Sequence, residues 1–149
     1  MDNNTPSYKR LHVLVIDDNA ILLRTVREML SERFDVSIAT SGAQAFMAIG
    51  KNVPDIIFLD YEMPYSDGES VIKKLHTSPE TANVPVIFFT GSADREIVTK
   101  LLRLNPAGYM LKPPNKDKMI DIIRKTLAKA EQNDTIIPET DAAKIAENK

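Results

Sequence analysis

The amino-acid sequence predicts an α/β domain of three layers, α/β/α, built on a doubly wound five-stranded parallel sheet. Three observations predict it. Five short apolar runs recur along the chain. Each is followed by a stretch whose apolar residues return at helical spacing. The runs are near-continuously apolar rather than alternating, as in strands covered on both faces. Right-handed crossovers are the default for such units.

The elements follow in order. Leu11–Ile16 reads as the first strand and closes on Asp17 and Asp18. A helix over Asn19–Glu32 places Leu22, Val26, Met29 and Leu30 on one face. Val36–Ala39 is a short second strand, and Thr40 or Ser41 caps a helix running to Lys51 with Ala45, Phe46 and Ile49 inward. Ile56–Leu59 is the third strand, ending in Asp60. Gly68–His76 is its helix, with Asp67 near the start, where a negative charge suits the helix dipole. Val84–Phe89 is the fourth strand and delivers Thr90. The next helix, Ile97–Leu104, carries Ile97, Val98, Leu101 and Leu102 as its apolar stripe. Gly108–Leu111 is the fifth strand and leads into Lys112. Asn115 precedes a last helix of about four turns, with Met119, Ile120, Ile123 and Leu127 inward. The domain spans residues 9–130, and 131–149, polar and broken by Pro138, reads as a tail or linker. Ala142, Ala143, Ile145 and Ala146 form a weak stripe there, too short for a stable isolated helix.

Composition bounds the chemistry. The 149 residues suit one domain, and 43% hydrophobic with 27% charged residues is an ordinary globular balance. No cysteine is present, which excludes disulfides, thiolate metal sites and cysteine nucleophiles and fits a reducing cytoplasm. Met1–Arg10 lacks the apolar stretch of a secretory signal. No run approaches the ~18 apolar residues of a membrane span, so no membrane partner is expected. A formal net charge of -2 argues against direct nucleic-acid binding, which needs a basic excess to neutralise phosphates.

Ligands of open α/β sheets bind beyond the carboxyl ends of the strands, so the residues ending each run carry the functional information. They are Asp17 and Asp18, Asp60, Thr90 and Lys112. One aspartate after a strand is usually a turn or cap residue; five polar residues on one rim are a site. Three crowded carboxylates repel one another unless a cation sits among them. Oxygen-only donors without histidine or cysteine favour Mg²⁺ over zinc. A carboxylate oxygen left free can act as a nucleophile. Lys112 and the Thr90 hydroxyl can then cover phosphoryl oxygens, which is most of what phosphoryl transfer demands.

With these residues stand the runs Val15-Ile16-Asp17-Asp18-Asn19, Ile57-Phe58-Leu59-Asp60-Tyr61-Glu62-Met63-Pro64, Asp67-Gly68, Phe88-Phe89-Thr90-Gly91 and Gly108-Tyr109-Met110-Leu111-Lys112-Pro113. Together they resemble the receiver domain of two-component response regulators. The resemblance implies a CheY-like, flavodoxin-like (βα)5 fold with strand order 2-1-3-4-5. It implies Asp60 as phosphoacceptor, Asp18 as a direct Mg²⁺ ligand and Asp17 largely through water. The Glu62 backbone carbonyl would be a further ligand, alongside Asp60 itself. Lys112 would pair with the phosphoryl group, its bond to Pro113 would be cis, and Thr90 would move toward a phosphoryl oxygen. Tyr109 would be the aromatic that turns inward after Thr90 has moved, with packing as a half-buried strand aromatic as the alternative.

The implied activity is that of a phosphoacceptor regulator, catalysing only its own phosphorylation and autodephosphorylation rather than acting as an enzyme on other molecules. Its donor would be a sensor histidine kinase or phosphotransfer protein. The surface of the fourth helix, fifth strand and fifth helix would signal to a downstream protein or to an output domain beyond this chain, with a homodimer as a further partner. Glu62 is expected to affect autodephosphorylation through the attacking water. His12 and His76 read as ordinary strand and surface histidines, and Arg95, Lys100 and Arg103 as a solvated helix face. Two other classes compete. An aspartyl-phosphate phosphohydrolase would carry its nucleophile and a second aspartate two residues apart on the first strand, where this chain has the adjacent pair Asp17-Asp18. A scaffold without phosphorylation would not need the five rim residues.

Overall fold

The computed structural model describes residues 10–64 and 68–135, so Asp67 and the stripe around Ile145 lie outside the described residues. Five strands, β1 His12–Ile16, β2 Asp35–Ala39, β3 Ile56–Leu59, β4 Val86–Thr90 and β5 Gly108–Leu111, alternate with five helices, α1 Ala20–Leu30, α2 Gly42–Lys51, α3 Gly68–Thr77, α4 Arg95–Arg103 and α5 Lys116–Thr135. The strands form one sheet in the order β2-β1-β3-β4-β5, every pair parallel. This is the predicted fold and strand order.

The central strands are buried on both faces, and their alternating side chains divide two cores. Val13, Val15, Ile56, Phe58, Ile87 and Phe89 pack with Leu23, Val26 and Leu30 of α1 and Met119, Ile120 and Ile123 of α5. Leu14, Ile16, Ile57, Leu59 and Phe88 pack instead with Ala45 and Ile49 of α2, Val71, Ile72 and Leu75 of α3 and Leu101 of α4. The period of two within unbroken apolar runs is therefore what creates three layers.

Local chemistry sets the helix boundaries. The Asn19 side chain accepts from the amides of Ile21 and Leu22 and starts α1. Ser41 caps α2 by accepting from Gln44 N, while the Gln44 side chain reaches back to the Thr40 amide and hydroxyl. Asp94 caps α4, which begins at Arg95, two residues before Ile97, the first apolar position of its stripe; its side chain accepts from Glu96 N at 2.8 Å. β4 opens at Val86 rather than Val84, because Pro85 has no amide proton for the ladder and offers only its carbonyl, which takes Ile57 N at 3.0 Å.

Three expectations are corrected. The inward face of α1 centres on Leu23, Val26 and Leu30, with Leu22 and Met29 at its margin. Of the α4 stripe only Leu101 is fully buried, and Leu102, one position and about 100° further round the helix, is 51% exposed. α5 runs 20 residues, to Thr135, longer than the four turns expected, so residues 131–135 are helical. No proline or glycine stands between Asn115 and Pro138, and Glu131 and Gln132, good helix formers, follow Ala130. Among the described residues no helix is long and apolar enough to cross a membrane.

Candidate functional site

Parallel registry brings the strand ends to one rim: Ile16 pairs with Leu59, and Thr90 with Leu111. The residues that follow therefore meet. Asp17 is fully buried, its amide bonded to Ala39 O at 3.0 Å and its Oδ1 accepting from Asn19 N at 2.9 Å. Asp60 is buried too, its amide bonded to Ile16 O at 2.9 Å and its Oδ1 accepting from Glu62 N at 3.2 Å. Asp18 stands exposed at the mouth, and carboxylate oxygens of Asp17, Asp18 and Asp60 lie within 4.8 Å of one another.

Lys112 closes the rim from β5. Its amide bonds to Thr90 O at 2.8 Å, and its Nζ lies 2.7 Å from Asp17 Oδ2 and 3.6 Å from Asp60 Oδ1. The ammonium also lies 5.7 Å from the centre of the Phe89 ring. The Lys112–Pro113 peptide bond is cis.

The electrostatics follow from crowding. Burial raises the pKa of Asp60 most, the Asp17 charge raises it further, Lys112 and the Glu62 amide work against them, and Asp18 adds a little; the result is about 6, against an ordinary 3.8. Burial acts to lower the Lys112 pKa, but the close Asp17 and Asp60 carboxylates outweigh it and raise it overall. Asp60 is thus anionic at neutral pH, at a cost.

The donor set fits a hard divalent cation. All three side-chain donors are carboxylate oxygens. Asp17 Oδ2 is buried and accepts no hydrogen bond of good geometry, although the Lys112 ammonium is close to it. An added cation would relieve both this oxygen and the repulsion that raises Asp60.

Thr90 is buried at the end of β4, its hydroxyl accepting from Ser92 N at 3.2 Å. A Cβ on Gly91 would meet nothing within 4 Å, so packing there does not require glycine. Gly68 is different. A Cβ there would lie 2.7 Å from Tyr61 Cα and 2.8 Å from Asp60 O, so only glycine lets α3 begin against the backbone that carries Asp60. Tyr109 is 39% exposed on β5. Sequence reading passed over Asn19 N as the group that holds Asp17 and over Asp94 as the α4 cap. An asparagine directly after a strand and before a helical run is the signal that marks the first. His12, expected to be an ordinary strand histidine, is buried at the far end of β1 against Ser37 Oγ at 2.7 Å.

Comparison with known proteins agrees with this geometry. Residues 13–124 match the family described as the response regulator receiver domain. A protein-glutamate methylesterase/protein-glutamine glutaminase of Trichodesmium erythraeum is 35% identical over 126 residues, covering 79% of this chain and 35% of that protein. The response regulator PleD of Caulobacter vibrioides is 33% identical over 102 residues, covering 68% of this chain and 22% of that protein. The chain thus spans about a third or less of the length of these two relatives. Among solved structures, the chemotaxis protein CheY4 of Vibrio cholerae superposes with a TM-score of 0.74 at 21% identity, covering 79% of this chain and 99% of that one. A CheY-like receiver domain protein of Methanospirillum hungatei gives 0.75 at 22% identity, covering 84% and 99%. At such identities the structural likeness is one of fold; the family rests on the sequence match. The chain belongs to the response regulator receiver domain family of two-component signalling.

Proposed function

We propose that Asp60 accepts a phosphoryl group in a Mg²⁺-dependent reaction and that residues 9–130, with the α5 extension, work as a phosphorylation-switched signalling unit. One observation carries the reading: three carboxylates converge within 4.8 Å with the Lys112 ammonium 2.7 Å from one and 3.6 Å from another. Mg²⁺, held by Asp17, Asp18, Asp60 and the Glu62 carbonyl, would supply the charge neutralisation that lets an anionic donor approach. The Glu62 amide and Lys112 engage Asp60 Oδ1, which leaves the other oxygen to attack phosphorus. The new O–P bond forms as the bond to the donor's leaving group breaks. Lys112 then pairs with one phosphoryl oxygen and the Thr90 hydroxyl donates to another.

The donor class this chemistry fits is a sensor histidine kinase or phosphotransfer protein in the cytoplasm. The readout is placed on α4, β5 and α5, where Leu102, Tyr109 and Leu111 are exposed, and a downstream protein, an output domain or a second copy would meet it there. Tyr109 would turn inward as Thr90 moves, and Glu62, exposed at the mouth, would set how water reaches the acyl phosphate. Incubation with Mg²⁺ and a small phosphodonor, read by intact mass, should add one phosphoryl group, and Asp60→Asn should add none. No gain in the parent, or a gain that survives the substitution, overturns the reading.

A further inference from the structure

The charged rim stands on an apolar floor laid down by the period of the strands. Val15, Phe58 and Met110 belong to the core shared with α1 and α5, and each stands two residues before a rim residue: Asp17, Asp60 and Lys112. Side chains two apart along a strand leave the same face. The three charges therefore lie over this core rather than over the one beneath α2, α3 and α4. Phe89 pairs with Met110 across β4 and β5 and completes the floor. Its ring meets Phe58 edge-on at 6.5 Å and 76°, and the residue is buried.

Lys112 has to cross this floor to reach the site. It follows β5, and in the order β2-β1-β3-β4-β5 the strand that lies between it and Asp60 is β4. Two strand spacings, about 9–10 Å, separate β5 from β3, so the side chain must lie across the end of β4. What it lies over there is Phe89: the ammonium is 5.7 Å from the ring centre, within the ~6 Å at which a ring face attracts a cation. The lysine stem is flexible and sets little by itself. An aliphatic residue at 89 would give the stem an apolar surface but would only desolvate the charge, which disfavours it. A ring face carries the negative side of the aromatic quadrupole and offsets that penalty. Lys74 lies nearer a ring, 4.2 Å from the centre of Phe46, but it is exposed, where water weakens the attraction. The Lys112 side chain is 25% exposed and the Phe89 ring beneath it is sealed. We propose that Phe89 is a positioning residue whose ring face carries the Lys112 ammonium across β4 and holds it beside Asp60, ready for the incoming phosphoryl group. The benefit to phosphoryl uptake rests on the phosphoacceptor reading; the contact between ring and ammonium does not.

The first arm of the test needs no phosphodonor. Urea midpoints of the full chain in chelator are compared for the parent, Phe89→Leu, Lys112→Met and the double variant. Phe89→Leu should cost the parent at least about twofold more, in the unfolding equilibrium constant, than it costs the Lys112→Met chain, the non-additivity of groups in contact. An equal cost in both backgrounds overturns the proposal. The second arm changes the charge of the ring face while nearly keeping its shape. Phenylalanine bearing one, two or three ring fluorines replaces Phe89 in the full chain, and initial phosphoryl uptake from acetyl phosphate with Mg²⁺ is followed by intact mass. Each fluorine withdraws density from the face, so uptake should slow stepwise, by about three- to tenfold at three fluorines. A residue that merely fills space would not respond to that series. Phe58 is also fully buried, and neither lysine that sits over a ring is over its own. The same series at Phe58 should leave uptake unchanged. A flat rate at 89, or an equal slowing at 58, overturns the proposal. If the parent takes up no phosphoryl group, the functional reading falls and the chelator arm alone judges the contact.

Discussion

β3 and β5 are both four-residue strands, and each hands its next residue to the site: Asp60 from one, Lys112 from the other. Their surroundings differ. Every residue of β3 is buried between two helical layers, whereas Tyr109 and Leu111 of the edge strand β5 are 39% and 42% exposed. The same contrast separates α3, with four buried residues, from α4, with one. The phosphoacceptor role proposed for Asp60 would need a backbone that cannot drift among like charges, and β3 is the firmly packed strand. The readout proposed for the β5–α4 edge would need a low cost of moving, which its sparse burial favours. One rim therefore joins a rigid half and a yielding half, with Lys112 and Thr90 where they meet.

The largest effect that would break this comparison is in the rigid half. Phe58 is fully buried in β3 with its ring edge-on to Phe89 at 6.5 Å. Phe58→Ala should cost about 3–5 kcal/mol from lost burial and the cavity left behind, read from urea midpoints at constant m. A cost below about 1 kcal/mol would mean that the centre is not the firm half.

Gly68→Ala comes next. The added methyl meets backbone atoms of Tyr61 and Asp60 at 2.7 and 2.8 Å, and backbone cannot swing aside as a side chain does. Overpacking of this kind costs about 1–3 kcal/mol. Because the displaced atoms belong to Asp60 and its neighbour, phosphoryl uptake should slow as well. Unchanged stability and uptake together would show that α3 can retreat freely from β3.

The charge on β3 is a stability statement with an unusual sign. The Asp60 pKa is raised in the folded state, to about 6 from 3.8, so the folded chain holds its proton more tightly than the unfolded chain. The stabilisation from that proton is complete below about pH 3.8 and is lost as pH rises through about 6. Above that, an ionised Asp60 is a penalty. At about 1.4 kcal/mol per pKa unit, and with part of it screened by water at the open rim, Asp60→Asn should stabilise the metal-free chain by about 1–2 kcal/mol at neutral pH. The gain should vanish by about pH 4, and Mg²⁺ should shrink it by offsetting the charge. A destabilising Asp60→Asn in chelator at neutral pH would contradict the crowding described for the rim.

Much of this was legible in the residues. Five apolar runs ending in Asp17-Asp18, Asp60, Thr90 and Lys112 indicate both a sheet buried on two faces and the rim where ligands meet, because burial and strand polarity are local consequences of pattern. Strand order is not local, and it came with the family resemblance. What pattern could not show was asymmetry of cover. Leu102 and Leu101 are equally apolar neighbours in sequence, yet one is half in solvent and the other is sealed, because one position turns a side chain about 100° round α4. Nor could the sequence show that Gly68 is demanded by a backbone approach while Gly91 is not. Both glycines sit in the motifs, and only the placed neighbours tell them apart.

The smallest expected effect belongs to the yielding half and sharpens the comparison most. Leu111 is 42% exposed at the end of β5. A leucine in a core costs about 2–5 kcal/mol when cut to alanine, but one already this open to water has little burial to lose and no cavity to leave. Leu111→Ala should therefore change stability by no more than about 0.5 kcal/mol, while phosphoryl uptake at Asp60 stays as it was. Its exposed neighbour Tyr109, cut to alanine, should behave alike in the unphosphorylated chain. The same apolar residue type is then expensive on β1 or β3 and nearly free on β5. If Leu111→Ala instead cost as much as a core leucine in the isolated chain, β5 would have to be covered, and α4 could not be the element that moves.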